Sequence, residues 1–424
     1  MRRRFMGSLA ALALIFSAVV PERARAANAL ELFKDIRISG FMDTYYSYNT
    51  NKPASRSAFA ESGGKTVTDS GLTNRFRAFD LEDDTLVMDN FELQIERPTS
   101  AGNRAGFKLI TNYGELANRI TFAKNDNYGR VDDDDFTFSV AYVNYFMDLG
   151  RGVDIKVGKM ATWIGAEPWE SVDNLNYSRS LLYQNADPFT HTGASISYSF
   201  TDNIGVTGYA VNGWDGFEDN NRAKSLGYQV AFDNIMDKFS LYLNGIHGAE
   251  HDDDTKYQRD MFDVVLDITP MDNLEINLNY ETAREQGSNS LNEDGTRKAA
   301  MAGGAWRGFS GIVAYDFADW FKLAARGEVF IDKGNAYRGE DGIKGTADDS
   351  FSNRTGVNFK EVEIYEATVT ATFKLAKQIL VRPEYRRDWS QKRLFVDDED
   401  SKSGNAANGK KYQQTFLVSF AYIF

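Results

Sequence analysis

Thr415-Phe416-Leu417-Val418-Ser419-Phe420-Ala421-Tyr422-Ile423-Phe424, the last ten residues, decide the fold. In steps of two back from the end stand Phe424, Tyr422, Phe420, Val418 and Phe416, each aromatic or β-branched and apolar. Successive side chains of a β-strand point to opposite faces, so this stripe faces one way and Thr415, Ser419 and Ala421 face the other. The segment reads as an amphipathic strand with one face almost wholly aromatic.

The same period recurs along the chain. Strands are predicted at 36–48, 88–97, 105–114, 137–147, 152–164, 191–201, 204–213, 225–234, 238–248, 260–269, 273–284, 305–317, 320–332, 361–375, 378–389 and 413–424. In 273–284, Leu274, Ile276, Leu278 and Tyr280 alternate with Glu275, Asn277, Asn279 and Glu281. In 260–269, Phe262, Val264, Leu266 and Ile268 alternate with polar positions that include Asp263 and Asp267. In 320–332, Phe321, Leu323, Ala325, Val329 and Ile331 alternate with positions that include Lys322, Arg326, Glu328 and Asp332. Strands 137–147 and 204–213 alternate poorly, and their facing is not fixed by the pattern.

The joins alternate between short turns (148–151, 201–203, 270–273, 318–319, 375–377) and long polar stretches (49–87, 115–136, 249–259, 285–304, 333–360, 390–412). An all-β, antiparallel, up-and-down transmembrane barrel of about sixteen strands explains this rhythm, with short periplasmic turns, long outside loops and both termini in the periplasm. Fourteen or eighteen strands would require one misread hairpin. An Arg or Lys on the lipid face at mid-membrane costs roughly 2–4 kcal/mol, so the strand charges are expected to face a water-holding lumen.

The front of the chain agrees with export. Arg2, Arg3 and Arg4 precede the uncharged apolar run from Phe5 to Val20, and Ala24-Arg25-Ala26 supplies an A-x-A cleavage site. Residues 1–26 are therefore expected to be a cleaved secretory signal peptide and 27–424 one barrel domain. Removing this leader, which carries five Arg against one Glu, takes the formal charge from −13 to about −17. With no cysteine there can be no disulfide, thiolate metal site or cysteine nucleophile. The acidic balance argues against nucleic acid. A mean hydropathy of −0.45 alongside 30 Phe and 21 Tyr suits strands in which only every second residue is apolar.

A terminal Phe on an aromatic stripe resembles the C-terminal signal of bacterial outer-membrane barrels, which the barrel assembly machinery reads. Outer-membrane lipid and lipopolysaccharide are then the expected surroundings, and small hydrophilic solutes the expected cargo.

Charged residues cluster on one face of 378–389, where Arg382, Glu384, Arg386 and Asp388 oppose Ile379, Val381, Tyr385 and Trp389. Arg387 falls on the apolar face and is expected near an interface. With Lys322, Arg326, Glu328 and Glu366 these residues are candidate pore-lining groups, either stiffening the wall or shaping a field across the pore. The stretch 165–190 carries Trp169, Tyr177, Leu181, Leu182, Tyr183 and Phe189, so it must pack against something. Folded inward it would narrow the channel and set Glu167, Glu170, Asp173 and Arg179 at a constriction; the alternatives are packing over the barrel mouth or at a subunit contact.

Gly158-Lys159, Asn174-Leu175-Asn176-Tyr177-Ser178-Arg179-Ser180, His191-Thr192-Gly193, Asn212-Gly213-Trp214-Asp215 and Asp219-Asn220-Asn221 follow one another in this order. With Gly40-Phe41-Met42-Asp43-Thr44-Tyr45-Tyr46 they resemble the outer-membrane β-barrel porins called OmpL-like, clearly over the N-terminal half and by strand rhythm beyond it. The resemblance implies a pore-forming barrel of a Gram-negative-type outer membrane and names no substrate. A homotrimer is expected by analogy with sixteen-stranded porins.

Three functional classes stand beside one another. The first is a passive water-filled porin. The second is a plugged structural or adhesive barrel acting through its loops. The third is a barrel enzyme, for which His191, His247 and His251 are the only histidines and none lies in a nucleophile motif. Acidic runs at Asp132–Asp135, Asp252–Asp254, Glu340–Asp349 and Asp397–Asp400 offer oxygen ligands for divalent ions, but none has EF-hand spacing, and neither a metal site nor a cofactor is assigned.

Overall fold

The computed structural model describes residues 35–53, 74–120, 136–251, 255–287, 303–333, 361–395 and 409–424. The predicted leader and all four acidic runs lie outside these residues. The unit Ile38–Phe424 is a closed barrel of sixteen antiparallel strands, each paired with its neighbours in sequence. They are β1 (Arg37–Asn49), β2 (Thr85–Arg97), β3 (Ala105–Tyr113), β4 (Phe136–Met147), β5 (Val153–Ala161), β6 (Thr190–Ser199), β7 (Ile204–Val211) and β8 (Ser225–Ile235). There follow β9 (Phe239–Ala249), β10 (Gln258–Met271), β11 (Leu274–Glu285), β12 (Gly304–Ala318), β13 (Phe321–Lys333), β14 (Glu361–Ala376), β15 (Ile379–Trp389) and β16 (Tyr412–Ile423). Every strand lies close to its predicted span; the largest differences are β2, which begins at Thr85, and β5, which ends at Ala161.

The C-terminal stripe closes the barrel. β16 pairs with β1 from Phe41↔Ile423 to Asn49↔Thr415, and Gly40 and Phe424 exchange backbone hydrogen bonds of 3.0 and 2.9 Å. Phe416, Phe420, Tyr422 and Phe424 are about half exposed, while Thr415, Ser419 and Ala421 are buried inside. Exposed rings would be a liability in water; around a closed barrel they form the apolar belt that a bilayer solvates. At the short-turn end Phe317, Trp320, Phe321 and Phe373 stack on one another, the interfacial aromatic cluster expected where strands leave the hydrocarbon.

The poor alternation of β4 has a local cause. A bulge at Ser139 of β4 shifts its register with β3, where Ile110 lies opposite Val140 and Thr111 opposite Phe138. Thr137 and Ser139 face inward on one side of the shift, and Val140, Tyr142 and Asn144 on the other. One extra residue flips every later side chain, which no period-two reading survives.

Candidate functional site

The residues between β5 and β6 fold into the barrel. The loop is closed at its base by the Thr162 amide, which donates to the Phe189 carbonyl at 3.0 Å. Trp163 stacks on Tyr209 of β7, with ring centroids 3.7 Å apart and planes 7° from parallel. Room for that indole comes from Gly227 of β8, where a Cβ would stand 2.0 Å from Trp163 Cζ2. Gly165 then takes the left-handed region (φ 82°) that other residues avoid, and its amide donates to Asp263 of β10 at 3.1 Å.

Beyond this turn the loop crosses the lumen and docks on β13, β14 and β15. Glu384 accepts from the amides of Tyr177 (2.7 Å) and Ser178 (3.2 Å) and from Thr370 Oγ1 (2.7 Å). Asn176 Nδ2 donates to the same Thr370 hydroxyl at 2.7 Å. Glu328 accepts from the amides of Leu181 (2.6 Å) and Leu182 (3.3 Å), the first residues of the short helix Leu181–Asn185. The side chain of Ser180 caps that helix by accepting from Tyr183, so the orphan amides of its first turn are satisfied from two sides.

Cations read the loop's carbonyls. Arg326 donates to the Ser178 carbonyl (2.6 Å) and pairs with Glu167 (2.8 Å) and Glu366 (3.0 Å). Arg382 donates to the carbonyls of Ser171 and Asn174. Arg386 donates to the Arg179 carbonyl at 2.6 Å and pairs with Asp388 at 2.9 Å. Asp388 in turn holds Arg77, from the connection between β1 and β2, at 2.8 Å. Arg179 donates to the Trp169 and Tyr177 carbonyls and lies 4.8 Å above the Phe79 ring.

Apolar packing completes the insert. Ile164, Leu181, Leu182 and Ala186 join inward-facing residues of eight strands, among them Met160, Val211, Ile246, Met261, Trp306 and Phe330. Trp169, Tyr183 and Phe189 form a second cluster with Phe79, Ile110, Val140 and the Glu115–Ile120 helix.

Eight of the eleven candidate residues are thus brought together: Glu167, Arg179, Arg326, Glu328, Glu366, Arg382, Glu384 and Arg386. The water-lined wall expected of them is not what the structure shows. Arg326, Arg382 and Arg386 are only 3%, 2% and 1% exposed, and their charges are spent on loop carbonyls and carboxylates. Lys322 stands apart near the short turns, 3.6 Å from Glu275 and 3.4 Å from Asp316.

Glu170 and Asp173 lie on the loop's other edge, facing Glu92 of β2 and Lys108 of β3. Asp173 is exposed, and Glu170 and Lys108 are half-buried. Burial, then repulsion from Glu92, pushes the Glu170 carboxyl up to about 8. On the short-turn side of this edge the inward residues of β4–β8, including Tyr142, Asn144, Asp154, Lys156, Thr207 and Gln229, are half-buried and polar or aromatic.

The anchors missed by sequence reasoning are Thr370, Asn176 and Arg77. A Thr on the lumen face of β14 was visible by alternation, but nothing marked it as a loop anchor, and Arg77 sits in aperiodic sequence. The histidines lie in three separate places. His191 contacts Thr162 Oγ1 (3.2 Å) and the Gly213 carbonyl (2.9 Å), His247 pairs with Asp260 on the outer surface, and His251 meets Gln286 and Glu285.

A closed sixteen-stranded barrel with an apolar outer belt and an inserted loop defines the porin class of outer-membrane proteins. Solved structures share this fold. They include an in-vitro folded, trimer form of OmpT from Vibrio cholerae (TM-score 0.52, 13% identity, 92% of this chain and 99% of that one). An anion-selective porin from Comamonas acidovorans is also similar (0.53, 10%, 92% and 99%), as is the outer-membrane channel DcaP of Acinetobacter baumannii (0.51, 11%, 92% and 97%). No curated protein matches the chain. Residues 35–424 match the family described as "Putative beta-barrel porin-2, OmpL-like", and the chain belongs to that family of outer-membrane porins.

Proposed function

We propose that the barrel passes small hydrophilic solutes or ions by passive diffusion, with the loop between β5 and β6 as its inward constriction. The path runs between the loop edge at Glu170 and Asp173 and the wall of β2–β8. The observation that carries this reading is the half-buried polar strip on that wall, in contrast to the sealed surface of β13–β15. Charge selection then belongs to Asp173 and Lys108, joined by Glu170 as the pH rises through about 8, because the arginines of β13 and β15 are withdrawn behind the loop. Termini in the periplasm, recognition of the stripe ending at Phe424 by the assembly machinery, and a homotrimer complete the proposal; the trimer form of the Vibrio cholerae protein supports the last.

Single-channel recording of the refolded protein in a planar bilayer under a salt gradient tests it. Stable steps whose reversal potential, read above pH 8, moves toward anions in Glu170→Gln/Asp173→Asn support the path. Silence from folded, inserted protein would favour the second reading, a plugged barrel acting through its loops. The two apolar clusters across the lumen are the observation behind that alternative.

A further inference from the structure

The outer surface carries a group of cations that neither the lumen nor the loop uses. Ala305 of β12 lies opposite Arg284 of β11 on one side and Lys333 of β13 on the other. Arg307 is two residues along β12 from Ala305, hence on the same face. Inward neighbours Trp306 and Gly308 are buried, whereas Arg284, Arg307 and Lys333 are all exposed on the membrane side. Three basic side chains therefore surround one small residue, at the end of the barrel away from the short turns.

Their partners leave positive charge over. Arg307 makes no hydrogen bond or ion pair among the described residues. Arg284 uses only Nε, 2.8 Å from Asp260, and that carboxylate is shared with His247. Lys333 is 3.2 Å from Glu361, in a pair about half exposed on both sides. Among the described residues, three cations thus have two partner carboxylates, Asp260 and Glu361. Diagonal neighbours on adjacent strands have Cα atoms about 7–8 Å apart, close enough for Arg284 and Arg307 to share one anion.

The surface next to them is apolar. Tyr280 and Phe309 are directly paired and both exposed, and Val329 follows beside Phe309. One step further toward mid-barrel, Gly311 faces Gly327 and leaves the wall bare of side chains. A charge facing lipid is tolerated at an interface and gains when an anionic headgroup meets it.

We propose that Arg284, Arg307 and Lys333 bind the phosphorylated headgroup of a membrane amphiphile, whose acyl chain lies over Tyr280, Phe309 and the Gly311–Gly327 gap. The proposal stands whether or not the barrel conducts. The test is native mass spectrometry of the folded full barrel in detergent, titrated with a diphosphorylated lipid A. Phosphatidylethanolamine and inorganic phosphate serve as separate probes. Wild type is expected to retain lipid A, and Arg284→Gln/Arg307→Gln/Lys333→Gln to lose at least tenfold in affinity. A control at the short-turn end, Lys238→Gln/Lys377→Gln, should bind as wild type does.

Equal binding by wild type and the triple variant overturns the site, as does equal retention of phosphatidylethanolamine. Competition by inorganic phosphate at concentrations equal to the lipid would assign a free-anion site and overturn the amphiphile. A triple variant that fails to fold is replaced by Arg307→Gln alone, which breaks no hydrogen bond or ion pair among the described residues and must still weaken lipid A.

Discussion

Arg326 shows how much one lumen residue can carry. It is buried, and its guanidinium holds Glu167, Glu366 and the Ser178 carbonyl together. Replacing it with Met would leave Glu167 buried without its cation and Glu366 with only Arg386, 3.8 Å away, a loss of about 3–5 kcal/mol. The measurement is the denaturant midpoint of the folded barrel, and an unchanged midpoint would mean that the network is not a stabilising one. Glu384→Gln is more local: an amide would face the Tyr177 and Ser178 donors with one acceptor in place of two. Hydrogen-exchange protection of those two amides is expected to fall by about a hundredfold, about 3 kcal/mol. The facing of these side chains was legible from alternation alone, since Arg382, Glu384 and Arg386 do point inward. What they bind was not legible, because their partners are backbone groups some two hundred residues away, and a backbone amide carries no sequence signal.

At the scale of the element, the loop balances its grip on β13–β15 against an acidic edge. The Glu170 carboxyl is raised to about 8 from an ordinary value of 4.5, so the docked loop binds a proton that the released loop would not. Docking is therefore strongest below pH 4.5 and weakens as the pH rises through 8. The groups around it act in opposite senses, with Glu92 and Asp173 repelling the carboxylate and Lys108 attracting it. Hydrogen exchange of loop amides is expected to speed up across this window, and Glu170→Gln to flatten the dependence. The absence of cysteine allows a second test: Asn176→Cys/Thr370→Cys replaces a 2.7 Å contact between loop and wall with a disulfide. If solutes pass beside a loop that stays docked, oxidation leaves conductance unchanged; if the loop must swing away, oxidation abolishes it and reductant restores it. That this element packs against something was legible from its aromatic content, but the inside of the barrel was one of three places open to it. Its choice of wall was not legible, because the charged faces of β11, β13 and β15 look alike in sequence.

At the scale of the molecule, the barrel was the most legible level, since a period of two repeated sixteen times leaves little freedom. Facing was lost in β4, where the bulge at Ser139 broke the period, and in β7, whose residues alternate poorly. One more prediction belongs here. Trp163, Tyr209 and Gly227 come from three different elements, so Gly227→Ala should push the indole off Tyr209 and remove the near-ultraviolet circular dichroism of that stacked pair, while β-sheet content stays the same. The docking of the loop also orders events in time. Residues 171–181 emerge from the ribosome long before Arg382, Glu384 and Arg386, and Glu384 lies 207 residues beyond the Tyr177 amide that it holds. Until β15 is in place the loop has its contacts on β10, β13 and β14 but lacks Arg382, Glu384 and Arg386, so its full docking belongs to the final stage of maturation, with closure of the first strand on the last. A chain shortened before β15 would leave this segment exposed to proteases, which makes cleavage near Arg179 a clock for completed assembly.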